Sequence, residues 1–322
     1  MKYLRESAFR EMIDAFVAQK HALGYPYQDS ERILNVFDKF CHKHYRQKKV
    51  LTRDIGLHWA IRWNSEGRGG HRNRVMVIRE FAKFLKSIGQ EAFIIPIELT
   101  RKPARIVPHI YTQDELHAFF KVIDSLKYCS SSPARHLGCP VYFRLLYCCG
   151  LRPAEARQLL VKNFDLDKGI ITIIENKGHK DRIVVLQPDV LALCVKYHAL
   201  VSKIFPVRKY FFPNQNGTGY YSKEGMQKTF RKCIRQATLK SFNGNQPRIY
   251  DFRHSFATRR MNLWLQEGKD INAYFPFLSV CMGHVQISDT AYYIHLVPEF
   301  FSYVKDFDVS KYENALPEDD AK

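Results

Sequence analysis

Helical periodicity runs through almost the whole of this chain and breaks at one place. There the sequence reads Gly169-Ile170-Ile171-Thr172-Ile173-Ile174, then a polar Lys/Gly turn, then Arg182-Ile183-Val184-Val185-Leu186. Two β-branched runs joined by a short polar turn are a hairpin signal. One hairpin in a helical background restricts the chain to a mainly α fold with a small antiparallel β-sheet covered by helices. With 322 residues, 46% of them hydrophobic, the chain has enough material for two domains, each with its own core.

Residues 1–92 read as a helical N-terminal domain. Ser30 is a plausible N-cap, followed by Ile33, Phe37, Phe40 and Cys41 at helical spacing. Between Asn73 and Gly89, the residues Val75, Ile78, Phe81, Ala82, Leu85 and Ile88 form an apolar stripe, and Gly89 is a natural stop. Arg72, Arg79, Lys83 and Lys86 recur on another face, and Arg74 belongs to the same helix. Residues 93–110 carry Pro96, Pro103 and Pro108 among Arg101, Lys102 and Arg105, the pattern of an extended basic linker. Thr112 and Glu115 then make a capping box that opens the second domain, residues 111–312, with a helix. A further helix is expected over Ile271–Met282, and residues 313–322 form an acidic, frayed tail.

Charge narrows the partners. Fifty Lys and Arg stand against 32 Asp and Glu, a formal net charge of +18, which favours a polyanion such as nucleic acid over an acidic membrane surface. No run reaches the roughly 18 apolar residues of a spanning helix, since Val141 to Leu151 is interrupted by Arg144. The N-terminus lacks a signal-peptide core, so a cytoplasmic protein is expected. The eight cysteines lie in no CxxC frame and are read as reduced and buried, not as disulfides or zinc ligands. Cys41-His42-Lys43-His44 falls inside a helical pattern with no partner pair, which argues against a metal site there.

Four short polar frames carry the chemistry. Arg152 and Glu155, in Gly150-Leu151-Arg152-Pro153-Ala154-Glu155, face one side of a helix start whose Pro153 suits the first position. That is a place to hold an anion, or a surface ion pair. Lys177 and Lys180 sit in the hairpin turn, where a lysine can swing a proton donor into a groove. Tyr250-Asp251-Phe252-Arg253-His254 begins a helix that can bury Phe252, Phe256 and Met261 and leave Tyr250 and Arg253 on one face. Gly283-His284 ends a helix, and Tyr293 follows nine residues later. Two arginines, a lysine, a histidine and a tyrosine suffice to hold a phosphodiester and attack it without a metal.

In this order and spacing the frames resemble those of the tyrosine recombinases, the phage integrase family, over about 110 to 300. The family's Gly-Leu-Arg-x-x-Glu matches Arg152 and Glu155, and its Lys-Gly-x-Lys-x-Arg hairpin matches Lys177. Its His-x-x-Arg-His frame matches Arg253 and His254, and its Leu-Gly-His frame matches Gly283 and His284 with Met282 for leucine. The resemblance implies a helical core-binding domain that clamps DNA, joined to an α+β catalytic domain. It implies Tyr293 as nucleophile, with Arg152, Arg253 and His284 on the phosphate and Lys177 as proton donor. Glu155 would organise the arginine side. No metal and no cofactor are implied. Arg72, Arg74, Arg79, Lys83, Lys86, Arg101, Lys102, Arg105, Lys180 and Arg182 are the expected DNA contacts.

One departure stands out. Tyr250 occupies the place of the family's first histidine, and an ordinary phenol, titrating near 10, is a poor base at neutral pH. The resemblance further implies a homotetramer on double-stranded DNA, with the apolar stripe Phe300, Phe301, Val304 and Phe307 of helix 298–309 docking on a neighbouring protomer. It also implies a bacterial protein, nucleoid-associated when bound. A type IB topoisomerase-like enzyme and a non-catalytic DNA-binding regulator of the same fold are the alternatives.

Overall fold

The computed structural model describes residues 4–102, 107–174, 181–239, 246–284 and 290. Lys177, Lys180, Arg105, Tyr292, Tyr293, helix 298–309 and the tail 313–322 lie outside these. The chain divides into two units, residues 1–105 and 106–322, each with its own core.

The first unit holds α1 (Arg10–Ala22), α2 (Gln28–His44), α3 (Arg53–Ala60) and α4 (Arg68–Ser87). Phe16, Phe37, Trp59 and Phe81 are fully buried at its centre, with Phe37 edge-on to Trp59 at 5.0 Å. Ser30 is not the cap of α2. The cap lies three residues earlier, at Tyr27 in a left-handed conformation (φ 50°), whose ring packs edge-on against Phe16 at 5.7 Å. A tertiary contact therefore sets that boundary. In α4 the apolar stripe buries as expected except for Ile88, which is 48% exposed because the helix ends at Ser87 and Gly89 (φ +78°) turns the chain away.

The expected linker begins with residues that belong to this core. Ala92 and Ile95 are buried, Leu51 and Ala92 form a parallel bridge, and Thr100 accepts hydrogen bonds from Arg72 through its hydroxyl (3.0 Å) and carbonyl (3.3 Å). Hydrophobic Phe93-Ile94-Ile95 outweighs the prolines as a guide to where the chain leaves the first unit.

The second unit opens with α5 (Gln113–Asp124), whose capping box forms from Thr112 and Glu115 as the sequence indicates. It continues through α6 (Arg135–Cys149), α7 (Pro153–Gln158), β1 (Phe164–Asp165), β2 (Ile170–Ile173), β3 (Arg182–Val185), α8 (Pro188–Ile204), α9 (Lys223–Gln236), α10 (Asp251–Gln266) and α11 (Ile271–Met282). Helix α6 packs between α8 and α10, and Phe119, Phe143, Phe230 and Phe252 cluster beneath it. The sheet is antiparallel in the order β1-β2-β3, with Ile170 opposite Val185 and Ile173 opposite Arg182. A mainly α fold with one small antiparallel sheet is what the periodicity required. Among the described residues no helix is long and apolar enough to cross a membrane. All eight cysteines are free, though Cys129, Cys148 and Cys281 are only half-buried, not buried as expected.

Candidate active site

Gly150 ends α6 with φ +63°, and a side chain there would meet the Phe256 ring at 2.5 Å. The chain thus reverses tightly and presents Arg152 just ahead of α7. Glu155 accepts from the Arg152 backbone N–H (2.7 Å) and from its Nη1 (2.7 Å), which ties the guanidinium to the helix start. The same carboxylate accepts from Arg182 Nη2 at 2.6 Å. Burial alone would raise the Glu155 carboxyl, but the two arginines outweigh it and hold the group below the ordinary carboxylate value.

The other half of the site is the end of α11. A helix leaves its last carbonyls without intrahelical partners. Here Gly283, at φ +64°, lets the backbone N–H groups of Gly283 and His284 return to the carbonyls of Val280 and Ser279. The next three carbonyls each take a different arginine. Arg182 Nε donates to Cys281 O, Arg253 Nη2 to Met282 O, and Arg152 Nη2 to Gly283 O. Guanidiniums from the starts of two helices and from a strand therefore converge on one helix C-terminus, whose dipole favours cations.

Arg253 is fully buried. Its Nη1 also donates to Gly150 O at 2.6 Å, and its Nη2 lies 3.1 Å from His284 Nε2. Because a guanidinium can only donate, Nε2 accepts, so the proton sits on Nδ1 and is donated to Thr290 Oγ1 at 2.6 Å. Burial first, and then the charges of Arg253, Arg152 and Arg182, push the His284 pKa down to about 3. Burial likewise pushes His254 down to about 4, with Asp251 opposing and Arg248 and Arg253 adding to it.

These shifts fix the acid response. Both imidazoles stay neutral in the folded chain but take up protons near 6.5 when unfolded, so acid favours the unfolded state between about 6.5 and the folded values. Glu155 acts in the same sense at lower pH, since a depressed carboxylate loses its stabilisation as pH falls through its folded value. The melting midpoint of the second unit is expected to fall by several degrees from pH 7 to pH 5. A His254→Asn/His284→Asn variant followed by calorimetry should show a flatter slope; an unchanged slope would mean that neither group is held neutral.

The structure thus brings Arg152, Glu155, Arg253 and His284 together. Tyr250 is exposed at the head of α10, whereas Arg253 is fully buried, and the Tyr250 ring lies against His254, centroids 5.2 Å apart. Two expected DNA contacts are corrected. Arg182 is buried, because the two-residue period of β3 turns it inward with Val184 and leaves Ile183 and Val185 outside. Arg74 is 4% exposed, paired with Glu66 at 2.9 Å, donating to the carbonyls of Trp59 and Ile61, and packed against the Trp59 and Trp63 rings. A guanidinium so engaged reaches no phosphate. Of the remaining basic residues, Arg72 and Arg79 are half-buried, while Lys83, Lys86, Arg101 and Lys102 are exposed. Sequence reasoning put Arg182 on DNA instead of in this cluster, and it missed Thr290, which carries no local signal.

A mainly helical unit that gathers two arginines and a histidine from these frames defines a class. Residues 110–299, more than half of the chain's 322, match the model of the Phage integrase family, and the chain belongs to that family. It is 27% identical over 308 residues to the Sinorhizobium fredii protein y4rB, itself named as a candidate integrase/recombinase, covering 91% of this chain and 94% of that one. In fold it resembles the XerH site-specific recombinase bound to a palindromic difH substrate in a post-cleavage complex. There the TM-score is 0.61 with 18% identity, over 85% of this chain and 77% of the other. It also resembles the Tn1549 transposon integrase in complex with circular intermediate DNA, with a TM-score of 0.60 and 16% identity, over 88% of this chain and 94% of that one.

Proposed function

We propose that this protein is a site-specific DNA recombinase or integrase that cuts and rejoins duplex DNA through a 3′-phosphotyrosyl bond to Tyr293. The observation that carries the reading is the convergence of Arg152, Arg253 and His284 on the turn after α11. Membership of the family and the DNA bound in the similar structures support it.

In this mechanism Tyr293 Oη attacks the phosphorus and gives its proton to water, the bond to the 5′ oxygen breaks, and Lys177 protonates that oxygen. Arg152, Arg253 and His284 stabilise charge on the non-bridging oxygens. Tyr250 assists proton transfer or orients the phosphate, and Glu155 holds Arg152. The new phosphodiester keeps the energy of the old one, so a 5′ hydroxyl from a second duplex can reverse the step without nucleotide. Neither a metal nor a cofactor takes part.

Residues 1–92 act as the DNA-clamping domain, with Lys83 and Lys86 as its phosphate contacts and Arg101 and Lys102 as those of the linker, and helix 298–309 links protomers in a tetramer. The setting is the bacterial cytoplasm, on the nucleoid. The test is covalent trapping on a nicked duplex whose binding site has first been selected from random DNA, with EDTA present and ATP absent. A protein–DNA adduct resistant to denaturant is the expected result. Specific binding without an adduct would overturn the enzymatic reading in favour of a DNA-binding regulator.

A further inference from the structure

Arg182 is the cation of this cluster that the proposed chemistry leaves without a task. Its side chain is 3% exposed, whereas that of Arg152 is 28% exposed. It enters from the first paired residue of β3, and its planar fork spans two acceptors, Cys281 O at 3.0 Å through Nε and Glu155 Oε2 at 2.6 Å through Nη2. The guanidinium also lies over Gly283, where a Cβ would come within 2.7 Å of Nη1. One side chain therefore connects the hairpin, the carboxylate that ties down Arg152, and the turn that carries His284.

The other two arginines cannot hold that turn and a phosphate with the same donors. Arg152 Nη2 is on Gly283 O, and Arg253 Nη2 is shared between Met282 O and His284. A phosphate oxygen that accepts from those same N–H groups must share or displace the carbonyls, because each N–H has one good direction. We propose that Arg182 is a positioning residue, the phosphate-independent tie that keeps the 281–284 turn and Glu155 in register while Arg152 and Arg253 engage the scissile phosphate. The assignment rests on the recombinase reading of the site. Lysine cannot replace it fully, because a single ammonium does not present two parallel donors in one plane.

The test uses the full-length chain with Arg182→Gln, Arg182→Lys and the double variant Arg182→Gln/Glu155→Gln. Hydrogen exchange of peptides spanning 278–284 is read first and needs no DNA. Exchange there should accelerate about tenfold in Arg182→Gln while α6 stays protected. On the selected nicked duplex, the single-turnover cleavage rate at saturating DNA should fall about 100-fold in Arg182→Gln and less in Arg182→Lys. Affinity and its salt dependence should stay near wild type, and the double variant should be no worse than Arg182→Gln.

Unchanged exchange over 278–284 would overturn the proposal. So would a drop in affinity with a shallower salt slope and normal cleavage at saturation, the signature of a phosphate contact. If the wild-type protein makes no adduct, the recombinase reading fails, and the exchange result still decides whether Arg182 holds the turn.

Discussion

Tyr293→Phe is expected to abolish the covalent protein–DNA adduct altogether while leaving DNA affinity near wild type. Phenylalanine keeps the ring and loses only the oxygen that would bond to phosphorus, so packing and charge are unchanged. Tyr292→Phe is the necessary control, because the adjacent tyrosine is the other candidate for the same oxygen. The choice of Tyr293 over its neighbour rests on its spacing of nine residues from His284. Denaturing gels of both variants on the nicked duplex decide it: an adduct that survives in Tyr293→Phe and vanishes in Tyr292→Phe would overturn the assignment.

Arg253→Met should damage fold and chemistry together. The guanidinium is fully buried and serves Gly150 O, Met282 O and His284 Nε2, and methionine would leave these acceptors without their donor in the interior. Each unsatisfied buried acceptor costs about 1–3 kcal/mol, so a loss of about 3–5 kcal/mol is expected. For a unit of this size that lowers the melting midpoint by roughly 10 °C. Arg253→Lys keeps the charge but offers one ammonium for three acceptors. It should recover part of the stability, yet cleave at least about 100-fold more slowly, the usual cost of losing one donor to a developing oxyanion. Thermal melts and single-turnover cleavage separate the two effects. A melting midpoint for Arg253→Met within a degree of wild type would show that these contacts hold nothing together.

Much of this architecture was legible because its signals are local. The capping box at Thr112 and Glu115 and the paired β-branched runs 170–173 and 182–185 formed where the sequence placed them. So did the helix over Ile271–Met282 that ends at Gly283. The four frames also identified which arginines and which histidine would meet. What the sequence could not express was which cations are consumed by the fold. Ile183-Val184-Val185-Leu186 is apolar throughout, so alternation does not reveal which face of β3 is inside, and Arg182 looked like a surface residue of a basic turn. Its partner Glu155 is 27 positions upstream. Arg74 was misread for a similar reason: the Trp59, Trp63 and Glu66 that enclose it precede α4, and only tertiary folding brings them around one guanidinium.

The three carbonyls at the end of α11 have a consequence for how such a protein could decay in evolution. Residues expected to stabilise a transition state here also close a helix terminus, so a lineage relieved of selection for strand exchange would still be under selection to fold. Substitutions of Arg152, Arg182 or Arg253 would be purged for stability long after cleavage had ceased to matter. An inactive descendant would keep its arginines, so in a relative it is the covalent adduct that separates activity from foldedness.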